Sequence, residues 1–173
     1  VLAKLGVFVI NIPAGELYTA LDRGTIDALE WVGPSLDLNM GFHKIAPFYY
    51  TGWHEPATEL QFLVNQKKFA ALPKHLQAIV ETAMKFAAYD MYARSYNDSA
   101  VNWAKIEKEY PNIKIRTFPK EVIAAMKKAN DELLESTAKK DPVFKKIYEA
   151  QKDYMKKVRK LTEISDYAYL KDN

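Results

Sequence analysis

The 173-residue chain contains no cysteine. This excludes disulfides, thiolate metal sites and cysteine nucleophiles together, and leaves the compartment open. Glycine is scarce, and neither glycine nor proline occurs between Pro73 and Pro111. Nothing in that stretch breaks a helix. Long apolar runs are also missing, since none approaches the ~18–20 residues of a membrane-spanning helix. Charge of one sign is missing as well. The net charge is +3, and the small basic excess falls after Pro119. That balance gives no nucleic-acid face and reads as a solvated helical surface. At 49% apolar and 27% charged residues, the chain is an ordinary globular one, neither disordered nor collagenous nor a simple coiled coil.

Catalytic signatures are absent too. There is no phosphate loop, dinucleotide fingerprint or serine elbow. His54-Glu55 begins like a zinc-protease motif, but Pro-Ala-Thr follows and no second histidine completes it. His43, His54 and His75 are scattered and read as polar surface or core residues.

What is present begins abruptly. Val1 opens a segment that reads as a helix end capped by Gly6, followed by a strand at Val7–Ile10. The chain is therefore expected to be cut, by processing or by truncation. A short helix over Glu16–Asp22 and a second strand over Thr25–Trp31 complete a strand–helix–strand crossover, which Gly33-Pro34 ends. Residues 35–58 read as irregular and aromatic, and Leu60–Asn65 as a strand. Pro73 opens a helix of about 38 residues, some 57 Å long at 1.5 Å per residue. Its apolar stripe runs through Leu76, Val80, Ala83, Ala87 and Met91, then Tyr96, Trp103, Ile106 and Tyr110. The phase slips near Asp90–Arg94, which suits a helix crossing between two lobes or a kinked helix in a bundle. Asn112–Phe118 reads as a strand. Helices follow from Pro119 to about Lys139 and from Pro142 to about Thr162, the second with Asp141 as its N-cap. The class is α/β. The expected division is a lobe segment over residues 1–72 carrying the site, the long helix over 73–110, and a strand with C-terminal helices over 111–173.

Two acids stand apart from other charges. Glu30 ends a strand in Asp27-Ala-Leu-Glu-Trp-Val-Gly-Pro34, and Glu55 lies in Thr51-Gly-Trp-His-Glu-Pro56. Each is near a tryptophan and upstream of a proline. Spacing alone admits three readings: the acid and base of a glycosidase, oxygen ligands for a hard cation, or ordinary loop acids, which is the simplest. Trp31, Trp53, Tyr49 and Tyr50 either wall a ligand pocket or form a satellite core.

The run Ile12 to Pro34, with Glu-Trp-Val-Gly-Pro at its end, resembles the substrate-binding subunits of tripartite ATP-independent periplasmic (TRAP) transporters, the DctP family. The likeness continues through Tyr49-Tyr50-Thr-Gly-Trp-His-Glu-Pro56, Leu60–Asn65 and the long helix, and so spans essentially the whole chain. It is similar to the branch that binds 2-oxo acids and related monocarboxylates with a cation. The resemblance implies a two-lobed periplasmic binding protein fold, of which this is the C-terminal part, with a very long helix spanning the lobes. It implies a binding protein and not an enzyme. Glu30, Trp31 (through its main-chain oxygen) and Glu55 are the implied ligands of a calcium or sodium ion. Trp31, Trp53 and Glu55 are the implied substrate contacts. The family's carboxylate-pairing arginine and a further glutamine lie upstream of Val1 in the family pattern, and Arg23 does not replace that arginine. The implied partners are a small carboxylate and the membrane permease, with a homodimer also entertained, in the periplasm. The alternatives are a carboxylate-pair enzyme and a helical interaction module.

Overall fold

The computed structural model describes residues 1–53 and 60–172. Its regular elements are α1 (Ala14–Asp22), α2 (Pro34–Met40), β1 (Phe48–Thr51), α3 (Gln66–Ala70), α4 (Lys74–Glu109), β2 (Lys114–Thr117), α5 (Lys120–Lys140), α6 (Pro142–Ile164) and α7 (Asp166–Asp172). Two 3-10 turns, Leu2–Leu5 and Phe42–Lys44, complete the set. The chain divides into two units, one of Val1–Ile10 with Pro119–Asn173, the other of Asn11–Phe118.

In the first unit, α5 packs on α6, and α7 on α6. The N-terminal turn lies against α5, where Lys4 Nζ meets Glu132 at 3.2 Å. Gly6 ends that turn at φ 84°, a left-handed conformation that glycine adopts without steric cost. Asp141 caps α6 by accepting from the backbone N–H groups of Val143 and Phe144. This capping, with Pro142 opening the helix, is what the sequence predicts.

In the second unit, α4 is one continuous helix of 36 residues, as the absence of glycine and proline requires. Among the described residues, close packing is found at its C-terminal third. Ile106 is 2% exposed there, whereas Met91 and Tyr96 of the expected apolar stripe face outward. The packing partner is α2, a helix the sequence reading missed. Gly33-Pro34 was read as a strand stop, but proline at the first helical position also starts helices, and it does so here.

The strands differ most from expectation. β1 and β2 form a two-stranded parallel ladder, with Phe48 opposite Lys114 and Thr51 opposite Thr117. β2 falls where the alternation of Ile113, Ile115 and Thr117 puts it. β1 lies inside the stretch expected to be irregular. The expected strands at Val7–Ile10, Thr25–Trp31 and Leu60–Asn65 are not strands in this structure, so the crossover over the first 34 residues is not formed. A strand exists through its ladder, and among the described residues these runs have no strand beside them. Phe8 and Leu63 are accordingly 89% and 88% exposed.

Candidate functional site

The segment from Glu30 to Gly33 is irregular backbone leading into α2. Its course is set by Asp37, in the first turn of that helix. One carboxylate oxygen, Oδ1, accepts from the backbone N–H of Gly33 at 3.1 Å and, at a longer 3.4 Å, from that of Val32. The other, Oδ2, accepts from the Tyr49 hydroxyl at 2.7 Å. Asp37 therefore reaches back over the N-cap residue Gly33, much as the distal acid of a capping box does. Gly33 permits the turn, with φ 147° and ψ −179°, a region essentially reserved for glycine.

A second brace comes from α4. The Asn102 side-chain amide donates to the carbonyls of Pro34 and Ser35 at 3.2 and 3.1 Å. Ser35 is buried. The neighbouring Trp103 meets the Tyr49 ring edge-on, with centroids 5.7 Å apart. Burial, then the hydrogen bond to Asp37, then that residue's charge, push the Tyr49 phenol well above its ordinary ionisation range. It remains a protonated donor at neutral pH.

The sequence-predicted residues are placed as follows. Glu30 is exposed and Trp31 half-buried. The indole Nε1 of Trp31 lies out of solvent with no hydrogen-bond partner among the described residues. Trp53 follows Gly52, whose φ of 70° turns the chain after β1, and its ring packs edge-on against Phe118 at 5.7 Å. Tyr50 stacks on the same Phe118 ring at 4.5 Å. Tyr49 thus pairs with Trp103, while Tyr50 and Trp53 share Phe118; Tyr49 and Tyr50 are successive residues of β1 and so lie on opposite faces of it. Glu55 and His54 lie outside the described residues.

His43 is a core histidine of the expected kind. Its ring meets Tyr110 with centroids 4.4 Å apart, and both ring nitrogens lie out of solvent with no hydrogen-bond partner among the described residues. Desolvation, with smaller contributions from Lys44 and Lys105, lowers its pKa. His75 opens α4 near its N-terminus. Among the described residues no group of three or more His, Cys, Asp or Glu side chains gathers in metal-binding reach. The oxygen donors offered by the 30–31 segment are one carboxylate and a main-chain carbonyl. This set is incomplete, and its chemistry suits a hard cation rather than a soft one.

Sequence reading misses Asp37 and Asn102 as members of this region; Tyr49 is among the aromatics it reads as a pocket wall or satellite core, and the structure adds its bond to Asp37. A signal existed for the first: Gly-Pro followed within three residues by aspartate is a helix start with an acid able to reach back. Asn102 sits mid-helix, and its reach to Pro34 is visible only in the fold.

Comparison with known proteins places these features in a family setting. The sequence pattern of the bacterial extracellular solute-binding proteins of family 7, DctP, matches residues 1–141. A monocarboxylate 2-oxoacid-binding periplasmic protein from Nostoc sp. is 37% identical over 170 residues, which are 98% of this chain and 46% of that protein. The crystal structure of a TRAP periplasmic solute-binding protein from Colwellia psychrerythraea, with bound calcium and pyruvate, is 62% identical. It superposes with a TM-score of 0.97 over 99% of this chain and 52% of its own. A TRAP transporter solute-binding protein from Bordetella bronchiseptica is 37% identical with a TM-score of 0.88, over 97% of this chain and 50% of its own. Its crystals hold a mixed-occupancy dimer, with copurified calcium and picolinate in one site and the other site apo. The chain thus spans about half the length of the relatives it matches.

Proposed function

Since the chain belongs to family 7 of the bacterial extracellular solute-binding proteins, we propose that it contributes part of the binding site of a periplasmic TRAP subunit for a small 2-oxo monocarboxylate. The observation that carries this reading is the match to the pyruvate- and calcium-bound Colwellia structure at 62% identity across nearly the entire chain. Picolinate in the Bordetella relative is also a small monocarboxylate, and the Nostoc relative is described as binding 2-oxoacids.

In this reading Glu30, the main-chain oxygen of Trp31 and Glu55 hold a calcium ion. Sodium takes the same oxygen donors, and calcium is favoured because both solved relatives contain it. The ion supplies positive charge against the carboxylate and 2-oxo oxygens of the ligand. Trp31, Trp53 and Glu55 line the ligand, with the indole rings covering its apolar side. No bond is made or broken. The ligand favours a closed arrangement of the protein because only that arrangement offers all its contacts at once. Delivery is to the membrane permease. A second copy of the chain is the other expected partner, since the Bordetella relative was found as a dimer.

The test is a thermal-shift titration of the full-length protein with pyruvate and longer 2-oxo acids, with calcium and with chelator. A ligand specific to the native state raises the melting temperature by mass action. A shift that requires both acid and calcium, and is abolished in Glu55→Gln, is the expected result. A shift with no acid under any condition would remove the 2-oxo acid reading.

A further inference from the structure

We infer that Asp37 is a positioning residue that aims the Trp31 carbonyl oxygen for cation binding; the inference rests on the cation reading above. The argument begins at the peptide bond. Trp31 carbonyl and Val32 N–H belong to one planar unit, and no peptide bond in the described structure is cis. In a trans peptide the C=O and N–H point in opposite directions. Val32 N–H is turned toward Asp37 Oδ1, so the Trp31 oxygen is turned away from that carboxylate. The carboxylate faces the other edge of the same peptide.

The stronger bond to Gly33 N–H fixes the next peptide in the same sense. The two successive N–H groups of Val32 and Gly33 thus converge on one oxygen. The carboxylate is itself held from the far side by Tyr49 at 2.7 Å. Tyr49 is clamped by the edge of Trp103, and the adjacent Asn102 holds the start of α2. The 31–32 peptide is held directly by the Val32 bond, and the other contacts hold the carboxylate and the start of α2 on which that bond depends. Outer groups that orient a ligand typically matter 10–100-fold for metal affinity.

The experiment uses terbium(III), a hard, oxygen-seeking probe, with tryptophan-sensitised luminescence on the full-length protein. Lifetimes in light and heavy water count the waters remaining on the bound ion. In Asp37→Ala the peptide is released; affinity is expected to fall about 10–100-fold, with roughly one more water on the ion as the carbonyl is lost. Asp37→Asn keeps a carbonyl oxygen that accepts from both N–H groups, and is expected to hold affinity within about threefold, with an unchanged water count. The water count separates orientation from a general loss of stability, which does not alter the coordination of the molecules that remain folded. Unchanged affinity and water count in Asp37→Ala would overturn the inference while leaving the cation reading intact. If Asp37→Ala does not fold, loss of terbium binding by a folded Asp37→Asn would overturn it equally. Absence of terbium binding by the unaltered protein would remove the cation reading and this inference together.

Discussion

Asn102 and Ser35 are joined across 67 residues of sequence by a 3.1 Å hydrogen bond from the side-chain amide to the main-chain carbonyl. The same amide reaches Pro34, so one residue of α4 satisfies two carbonyls at the start of α2. Replacing it by alanine removes the second donor from two carbonyls that keep their helical N–H partners within α2. The expected cost is about 0.5–1.5 kcal/mol, read as a lowered urea midpoint with little change in slope. Asn102→Asp is expected to be worse, because a carboxylate then faces two carbonyl oxygens. An unshifted midpoint in both would mean that water replaces the bond freely.

Gly33→Ala isolates the backbone requirement. A Cβ at this position meets no atom within 4 Å, so crowding contributes nothing. The remaining cost is that of holding a non-glycine residue at φ 147°, about 1–3 kcal/mol. Chemical denaturation measures it directly. A stability equal to that of the parent would show that the turn relaxes to another conformation, and the Asp37 bonds should then be lost from its structure.

His43 makes stability depend on acidity. Its folded pKa lies below the ordinary 6.5, so the unfolded chain binds the proton first. Stability from this group is complete above about pH 6.5 and declines as pH falls below it. His43→Phe keeps a ring against Tyr110 and removes the titration. Its unfolding free energy should therefore fall less steeply than the parent's between pH 7 and 5. Parallel profiles would assign the acid sensitivity to other groups.

Tyr49 acts at the opposite end. Burial and Asp37 raise its pKa above the ordinary 10, so the unfolded chain releases this proton first. The contribution is fully present below pH 10 and is lost as pH rises beyond it. Tyr49→Phe should be less stable at neutral pH by about 1.5–3 kcal/mol, the range for bonds to charged groups. The gap to the parent should narrow above pH 10. A gap that stays constant there would mean that the phenol does not control the alkaline limb.

Local signals made some elements legible and non-local ones hid others. The long helix was readable because Pro73 and Pro111 bracket a stretch free of breakers, and α6 because Asp141-Pro142 is a cap written in sequence. β2 was readable from its alternation. Val7–Ile10 carries an equally strong strand composition, yet a ladder needs a neighbour, and composition does not say whether one is present. β1 was hidden for the converse reason, since Phe48–Thr51 pairs with residues more than sixty positions away. At the site, Glu30, Trp31, Trp53 and Glu55 were picked out by motif resemblance. Tyr49 is legible as a pocket-wall or satellite-core aromatic, but its bond to Asp37 is not, and Asp37 and Asn102 escape the sequence because their roles arise only when α2, β1 and α4 meet.

One consequence follows from the way the first unit is assembled from both ends of the sequence. Lys4 waits for Glu132, 128 residues later. At bacterial-like synthesis rates of about 5–20 residues per second, that interval is on the order of ten seconds. Throughout it the second unit is being completed, while residues 1–10 wait for the helices that follow Phe118. The final packing of residues 1–10 is therefore set by the last third of this sequence. Slowing translation after Phe118 should lengthen that wait without touching any contact of the finished fold.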